Sequence, residues 1–418
     1  MVIISNPYGI SLRVSLASVA VNNEMESSWV YPFGDSYVLY YTVSDRLLVL
    51  NPTGKLVWEM LREGYGLEEI SSTFAQHFSI PEERALEDIR QIYSEFGDLS
   101  IGGDNEGING VSFPLIARTH NSLETDQRRL EECGTFRFGE SLVRVISSVA
   151  EVDRSYFSRF HHRSRDNRDV CNSDTLEISL SGRAYQLIFR GGLVGEAGTT
   201  AELISLVVKL LLELEHPNAP LLAYSHAGAV SRNGRSLLMP GGSGVGKSTL
   251  TAFLVANGFA YLGDDTIAIG ENDASLLPLP TCLSIKSGSW GVLEEFYPVL
   301  PQLPIVSRYS RVLRYVEPQQ NYQSVRAAVA PVAIVFPQYE EGKPTRLTAL
   351  TPSQTMIRLI GAHARLSTPA TQEKLAKLLS FVQHTPGFDI NYSDLPSALT
   401  AIEELLAAQT HNLQPYME

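Results

Sequence analysis

The hydrophobic pattern of the N-terminal quarter predicts a small mixed domain. Residues 37–50 form two β-favouring runs around a polar turn, which is typical of a β-hairpin. Asn51 and Pro52 follow, in the order expected at the N-cap and first position of a helix. Three helical stripes are then predicted to face inward: Leu56, Val57, Met60 and Leu61; Leu67, Ile70, Phe74 and Phe78; and Leu86, Ile89, Ile92, Tyr93 and Phe96. The pattern predicts a hairpin and three short helices.

Changes in pattern divide the chain into five segments. They are an N-terminal extension (1–34), the small domain (35–101), a glycine-rich polar linker (102–112), a mixed segment (113–220) and an α/β segment (221–410). In the mixed segment we predict strands over 136–145 and 176–189 and an apolar helix over 201–214. Strand and helix patterns alternate from 221 onward, as they do in an α/β domain.

One stretch of the mixed segment is distinguished by its charge. Arg154–Arg168 contains five arginines and two histidines among few apolar residues. Such a run is most simply a solvated loop. The alternative is a basic patch that binds an acidic peptide or the phosphates of a nucleotide.

Composition limits the class of protein. The 418 residues are 44% hydrophobic and 19% charged, which fits a globular chain of two or three domains. The net charge of −13 argues against broad attraction to nucleic acid or to an anionic membrane. The three cysteines show no CxxC or zinc-site spacing, and no signal-peptide or membrane-spanning pattern occurs. We therefore expect a cytoplasmic protein that binds neither nucleic acid nor membrane.

The segment Gly241–Ser248 fits the phosphate-loop pattern GxxxxGK[ST]. A predicted strand over 237–239 precedes it and a predicted helix over 249–257 follows. Glycines let backbone N–H groups turn toward one point, and the helix N-terminus adds a partial positive charge. The predicted nucleotide-binding residues are Gly241, Gly242, Ser243, Gly244, Val245, Gly246, Lys247, Ser248 and Thr249. The alternative is a strand–helix turn that binds nothing.

Two adjacent aspartates, Asp264 and Asp265, lie in the next predicted strand. Neighbouring strand residues face opposite ways, so both can serve one site only at the end of the strand. A carboxylate beside a γ-phosphate can take the proton from an attacking hydroxyl. The alternative is that either aspartate is only a turn or cap residue. No Asn-Lys-x-Asp motif occurs, which argues against a GTPase.

His226 lies upstream on a predicted strand. The hairpin signal Asn233-Gly234 returns the chain from this strand into the phosphate-loop strand, so His226 is expected beside the loop. Taken alone, a strand histidine is more often a structural residue.

Together, His226, Gly241–Thr249 and Asp264-Asp265 resemble the HPr kinase/phosphorylase superfamily, whose catalytic domain is related to that of phosphoenolpyruvate carboxykinase. The resemblance covers about residues 130–405 and is strongest over 225–290. It implies an α/β P-loop kinase core of this type, ATP and Mg²⁺ as cofactors, and a homo-oligomer.

The resemblance also implies roles for single residues. Asp265 would be the general base that deprotonates a hydroxyl, while His226 and Lys247 would assist at the phosphates. The implied catalytic residues are Asp265, His226, Lys247 and Asp264, and the implied Mg²⁺ ligands are Ser248 and Asp264.

Two further segments are similar to HPr-kinase-related serine kinases that accompany peptide-maturation genes: Pro278–Trp290 resembles their lysine-containing loop, and Phe388–Leu395 resembles their C-terminal strand and helix. HPr kinases themselves carry an acidic, glycine-rich loop with a metal-binding glutamate where this chain has Lys286–Trp290. The next glutamate here is Glu294. This departure argues against HPr as the substrate and against the reverse phosphorylase reaction.

Residues 35–101 resemble PqqD-like peptide-chaperone domains, also called RiPP recognition elements, through Leu50–Trp58 and Leu67–Ile70. The resemblance implies a winged-helix-like α+β domain that binds a leader peptide as an added strand beside a helix. An exposed strand edge offers the unpaired N–H and C=O groups that such binding needs. The alternatives are a module that only packs on the kinase, or a DNA reader, against which the lack of basic residues argues.

These features predict an ATP- and Mg²⁺-dependent kinase acting on a Ser or Thr hydroxyl of a ribosomally synthesised precursor peptide. Residues 35–101 would bind the leader of that peptide. The alternatives are a small-molecule kinase and a nucleotide-dependent peptide chaperone without phosphotransfer.

Overall fold

The computed structural model divides the chain into two compact units. It describes residues 3–5, 11–13, 27–42, 45–97, 129–164, 172–182, 184–242, 244–279, 281–308, 311–318 and 331–409. The first unit comprises residues 1–109, 352–360 and 369–372, and the second comprises the rest of the chain. The linker predicted at 102–112 and the loop residue Ser243 lie outside the described residues.

Strands and helices alternate irregularly along the chain. The strands are β1 (Ile3–Ser5), β2 (Ser11–Arg13), β3 (Ser28–Phe33), β4 (Ser36–Tyr41), β5 (Arg46–Leu50), β6 (Glu131–Phe138), β7 (Ser141–Ser147), β8 (Asp174–Ser181), β9 (Ala184–Phe189), β10 (Gly192–Ala197), β11 (Leu221–Arg232), β12 (Arg235–Pro240), β13 (Ala260–Gly270), β14 (Leu276–Pro278), β15 (Leu283–Lys286), β16 (Val306–Arg308), β17 (Arg311–Val316), β18 (Pro331–Tyr339), β19 (Arg346–Leu350), β20 (Arg365–Leu366) and β21 (Gly387–Tyr392). The helices are α1 (Pro52–Arg62), α2 (Leu67–Phe78), α3 (Glu82–Gly97), α4 (Arg154–Phe157), α5 (Thr200–Glu215), α6 (Lys247–Ala256), α7 (Trp290–Leu293), α8 (Pro352–Gly361), α9 (Gln372–His384) and α10 (Leu395–Ala408). Within the described ranges, no helix is long and apolar enough to cross a membrane.

The first unit contains a three-stranded antiparallel sheet in the order β3-β4-β5. The hairpin predicted over 37–50 is confirmed as the pair of β4 and β5. The sheet has a further strand, β3, which pairs with β4 along its whole length. Ser28–Phe33 lies within the predicted N-terminal extension. The hairpin signal at 37–50 accounts for two strands and gives no sign of a third.

The three predicted helices follow this sheet. Asn51 caps α1, its side chain accepting the Gly54 N–H at 2.7 Å, and Pro52 occupies the first helical position as predicted. The core between sheet and helices includes Leu39, Tyr41, Val57, Trp58, Ile70, Phe74, Ala85 and Ile89. Leu56 and Phe78 were predicted to face inward and are instead 39% and 49% exposed. The buried face of α1 includes Trp58 instead of Leu56. Phe78 is exposed because it is the last residue of α2.

The second unit begins with a five-stranded sheet in the order β10-β9-β8-β7-β6, and α5 packs against it. The predicted strands over 136–145 and 176–189 are each a pair of strands joined by a tight turn. Gly139 and Gly182 occupy these turns with φ of +55° and +63°, a conformation that glycine adopts without strain. A glycine inside a β-favouring run therefore marked a turn rather than a continuous strand.

The arginine-rich segment is structured over its described part. Residues 154–157 form α4, and a 3₁₀ turn continues through Arg163. Tyr156, Phe157 and Phe160 are fully buried, so the prediction of a solvated loop is wrong for residues 154–163. The aromatic side chains at helical spacing hold the segment against the sheet. Arg165 and Arg168 lie outside the described residues.

The rest of the second unit centres on a mixed eight-stranded sheet in the order β14-β13-β11-β12-β18-β21-β19, with β20 pairing β11. β11 is antiparallel to both β12 and β13, whereas β18 is parallel to β12 and to β21. Apolar side chains of α6 and α10 join those of the sheet in one core. This arrangement brings the C-terminal ends of β12, β18 and β21 to the same edge of the sheet.

Candidate functional site

The glycine-rich loop, residues 241–246, lies at this edge between β12 and α6. The hairpin that leads into it is confirmed, with Asn233 and Gly234 both at positive φ. Gly246 caps α6 at φ +93°, and a Cβ there would lie 2.3 Å from the Tyr392 hydroxyl oxygen, so only glycine fits. The first helical hydrogen bond runs from the Leu250 N–H to the Gly246 carbonyl. The N–H groups of the first turn therefore have no partner within the helix and point out of its N-terminus.

Neighbouring strands hold the loop in place. The Gly241 N–H donates to the His226 carbonyl at 3.2 Å, and the Tyr339 N–H donates to the Val245 carbonyl at 3.0 Å. The Tyr392 hydroxyl donates to the Gly246 carbonyl at 3.1 Å. The N–H of Gly241, one of the predicted phosphate-binding groups, is thus already bonded to β11.

The two aspartates lie in the middle of β13, which continues to Gly270. Two aspartates that serve one site were expected at the end of the strand, whereas β11 pairs with β13 well beyond them. Gly228 pairs with Asp264, and Ala227 pairs with Asp265. The two carboxylates have different partners, although the charge of Lys247 acts on both.

Asp264 is buried against the start of α6. Its Oδ1 accepts a hydrogen bond from the Ser248 hydroxyl at 3.1 Å and lies 3.6 Å from the Lys247 Nζ. The side chains of Asp264 and Lys247 are only 1% and 5% exposed. Gly228 permits this close approach, because a Cβ there would lie 2.4 Å from the Thr251 hydroxyl on α6. The three predicted residues Lys247, Ser248 and Asp264 are therefore in mutual contact.

The second oxygen of Asp264, Oδ2, is buried and has no hydrogen-bond partner in the structure. A buried carboxylate oxygen without a partner is costly and fits a cation that binds there. Magnesium prefers carboxylate and hydroxyl oxygens and usually keeps several water or phosphate ligands. Over the described part of the chain, no group of three or more His, Cys, Asp or Glu could hold a metal. Asp264 and Ser248 thus fit a Mg²⁺ ion that takes its remaining ligands from solvent and phosphate.

Asp265 is held from two sides. Its Oδ2 accepts a hydrogen bond from the Arg159 guanidinium at 2.5 Å, and its Oδ1 lies 3.3 Å from Nδ1 of His226. The same His226 nitrogen is 2.6 Å from the Asp265 carbonyl, which only accepts, so Nδ1 carries a proton. Burial raises the pKa of Asp265, but Arg159, His226 and Lys247 together hold this pKa well below its ordinary value. The carboxylate is therefore ionised and paired.

Lys286, the last residue of β15, belongs to the same charged cluster. Burial lowers its pKa, and the nearby positive charges of Arg311 and Lys247 lower it further, whereas Asp264 and Asp265 oppose the shift. Within the cluster of Arg159, Lys247, Lys286, Arg311, Asp264 and Asp265, four cationic side chains accompany two carboxylates. The surplus of positive charge suits a polyanionic ligand.

Among the site residues that were not predicted are Arg159 and Tyr392. Arg159 reaches Asp265 from 106 positions earlier in the chain, and Tyr392 anchors the loop from β21, which β18 separates from β12. Arg159 lies in the arginine-rich segment Arg154–Arg168, and Tyr392 lies in the segment 388–395 that resembles a kinase family. Neither signal shows which side chain of its segment belongs to the site. Thr249, predicted to bind nucleotide, shares a hydrogen bond of 2.6 Å with the Ser289 hydroxyl.

The first unit has a separate candidate site. A groove of about 450 Å³ lies beside α2 and α3, lined by Thr53, Phe74, Phe78, Ile80, Ala85, Asp88, Ile89, Gln91 and Ile92. β5 lies at the edge of the sheet, since its strand partner in the described sheet order is β4 on one side. An apolar groove and a sheet edge are the two features that an extended peptide can use.

Comparison with known proteins identifies this part of the chain. No curated protein matches the sequence. Residues 36–98 match the sequence profile of the family described as coenzyme PQQ synthesis protein D (PqqD). The matched stretch begins at β4 and takes in β5 and the three helices. The chain therefore contains a PqqD-like domain at residues 36–98.

Proposed function

We propose that this protein is an ATP-dependent kinase that phosphorylates a Ser or Thr hydroxyl of a ribosomally synthesised precursor peptide. The observation that carries the proposal is the convergence of Lys247, Ser248, Asp264, Asp265 and His226 beside one glycine-rich loop. A nucleotide-binding loop alone would need no second carboxylate. The two adjacent carboxyl groups supply a metal ligand and a proton acceptor, the groups that phosphoryl transfer uses.

The triphosphate binds at the N-terminus of α6. The N–H groups of the first turn have no partner within the helix, and Lys247 is the first residue of that turn, a combination that favours phosphate oxygens. The positive surplus of the surrounding cluster balances the charge of the phosphates. Ser248 and Asp264 would hold Mg²⁺, which supplies neutralisation of the β- and γ-phosphate charge when bound.

Asp265 receives the proton of the attacking hydroxyl. Its carboxylate is ionised, so it can accept a hydrogen bond from the hydroxyl and orient it in line with the leaving group. Its lowered pKa makes it a weak base in the nucleotide-free protein. This is compatible with a loose transition state, in which the proton moves late.

The PqqD-like domain captures the leader of the peptide. The leader adds a strand along β5, and its apolar side chains enter the groove lined by Phe74 and Phe78. The partly exposed Phe78 is then an anchor for peptide rather than a misplaced core residue. The net charge of −13 makes the captured peptide, rather than nucleic acid, the expected polymer partner.

The kinase proposal is tested with ATP, Mg²⁺ and the peptide encoded next to the gene. Mass spectrometry should detect one added phosphate per peptide. Asp265→Asn should lower the turnover about 10²- to 10⁴-fold, because it removes the proton acceptor. Asp273→Asn, in the turn that follows β13, is the matched control and should retain activity. Full activity of Asp265→Asn would refute the role of base.

Peptide capture is tested at the groove. Phe78→Asp should raise KM for the precursor at least tenfold and leave kcat unchanged, because it places a charge where an apolar side chain binds. Leu56→Asp, at a similarly exposed position of α1 outside the groove, should change neither constant. Phosphorylation of a small molecule with no effect of Phe78→Asp would favour a small-molecule kinase. Nucleotide binding without phosphotransfer to any peptide would favour a chaperone.

A further inference from the structure

We propose that Arg159 is a catalytic residue that binds the transferring phosphoryl group directly. This inference rests on the proposed kinase function and assigns a role to the arginine-rich segment, which the phosphate-loop motif does not include. In the structure, its guanidinium donates a hydrogen bond to Oδ2 of Asp265, the residue proposed to accept the proton of the reacting hydroxyl.

The position of the guanidinium is determined by its own segment. Its centre lies 4.3 Å from the ring centroid of Tyr156, and its Nε donates to the Tyr156 carbonyl at 3.2 Å. The Arg159 carbonyl in turn accepts the Cys282 N–H at 2.7 Å. The side chain is 12% exposed, and Tyr156 is fully buried. Arg159 therefore enters the site from a rigid support rather than from a mobile surface loop.

Arg159 has donors to spare while it bonds to Asp265. A guanidinium carries five N–H donors, and in the structure Nε donates to the Tyr156 carbonyl and Nη1 donates to Asp265. A carboxylate can accept about four hydrogen bonds, so the acceptor hydroxyl can bond to Asp265 while Arg159 and His226 stay in place. The other N–H groups of Arg159 can then donate to an anionic group that lies beside this hydroxyl.

The transferring phosphate is the partner whose chemistry fits. Phosphate oxygens accept parallel hydrogen bonds from the guanidinium fork, and the charge of a phosphoryl group spreads over three oxygens during transfer. In the step, a bond forms between the acceptor oxygen and the γ-phosphorus. The bond from that phosphorus to the β–γ bridging oxygen breaks, and its electron pair leaves with the nucleoside diphosphate. The hydroxyl proton passes to Asp265, and Arg159 keeps the phosphoryl oxygens charge-paired.

Binding affinities of nucleotides test this role without requiring turnover. Titration calorimetry with ADP and with a non-hydrolysable ATP analogue, both with Mg²⁺, should show that Arg159→Gln weakens the analogue about 10- to 100-fold. Affinity for ADP should change less than twofold. Arg154→Gln is the matched control, because Arg154 lies in the same segment and bonds to the Glu132 carbonyl. It should leave both affinities unchanged.

Removal of Arg159 also frees the negative charge of Asp265, which could repel the γ-phosphate by itself. The same comparison is therefore made in an Asp265→Asn background, where removing Arg159 no longer exposes a negative charge. A selective loss of analogue affinity on adding Arg159→Gln there supports direct contact. Disappearance of the loss would overturn the proposal, because Arg159 would then act only by positioning Asp265.

The kinase function and the role of Arg159 can be refuted separately. If the unmodified protein binds neither nucleotide, the proposed kinase function fails. If it binds both and phosphorylates the peptide, while Arg159→Gln binds the analogue as tightly as the unmodified protein, only the role of Arg159 is refuted. Arg159→Lys, which keeps the charge and loses the fork, should show an intermediate loss of analogue affinity.

Discussion

The PqqD-like domain and the cluster around the glycine-rich loop are built on different principles. Among the described side chains between residues 27 and 93, those that are buried are apolar or aromatic apart from the small hydroxyl of Ser71. The loop cluster instead buries a lysine and an aspartate within 4 Å of each other and fixes a second carboxylate with an arginine. In the proposed function, the first region binds through its surface and backbone edge, whereas the second depends on charged side chains held at set positions.

This difference in buried side chains predicts which residues are important for stability and which for activity. An apolar core stabilises a domain by burial, and its binding edge can be changed at little cost to the fold. Buried charges cost free energy of desolvation that their mutual attraction only partly offsets. We therefore expect the core of the PqqD-like domain to be important for stability, and the charges of the loop cluster to be important for activity.

The largest expected effect is on the buried charged pair. Lys247→Met removes the cation and leaves Asp264 charged and buried, so we expect a loss of phosphotransfer and about 3–5 kcal/mol of unfolding free energy. The double variant Lys247→Met/Asp264→Leu removes both charges and should recover most of the stability but none of the activity. Urea denaturation and the peptide phosphorylation assay measure the two effects. A double variant as unstable as the single one would show that the pair stabilises the fold.

A similar loss of stability, without an effect on the loop, is expected in the first unit. Trp58 is 2% exposed in its core, so Trp58→Ala should cost about 3–5 kcal/mol and abolish peptide binding. Trp58→Phe should cost less, since it keeps a ring and removes an indole N–H that has no hydrogen-bond partner. Nucleotide affinity, measured by calorimetry, should remain unchanged in both variants. A parallel loss of nucleotide affinity would contradict the separation of the two functions.

The smallest effect tests how closely α6 approaches the sheet. Gly228→Ala places a Cβ 2.4 Å from the Thr251 hydroxyl, and we expect it to cost about 1–3 kcal/mol and to lower activity by displacing Lys247. Thr251→Ala removes that oxygen, which is buried without a partner, and the next nearest atoms lie at 3.6 Å. Adding Thr251→Ala to Gly228→Ala should therefore restore both stability and activity. Failure to restore them would place the defect outside this contact.

Local signals predicted much of the fold. The cap at Asn51, the turn at Asn233-Gly234 and the helix after the loop rest on contacts between near neighbours in sequence. The strand β3 was missed because β4, its partner in the described sheet, was already paired with β5 by the hairpin signal. Leu56 was misplaced because the stripe of α1 allows two neighbouring faces, and only packing against the sheet selects one.

The candidate site, like the fold, was predicted from the sequence only in part. The sequence alone determined which groups can carry the chemistry, since the loop motif, the adjacent aspartates and His226 are visible as residue types at short spacing. Only the tertiary structure decided how they are paired. Asp264 contacts Lys247 and Ser248. Asp265 contacts Arg159 and His226. Tyr392 donates a hydrogen bond to the loop. These pairings depend on sheet register and on the close packing of α6, which are set by contacts between residues distant in sequence.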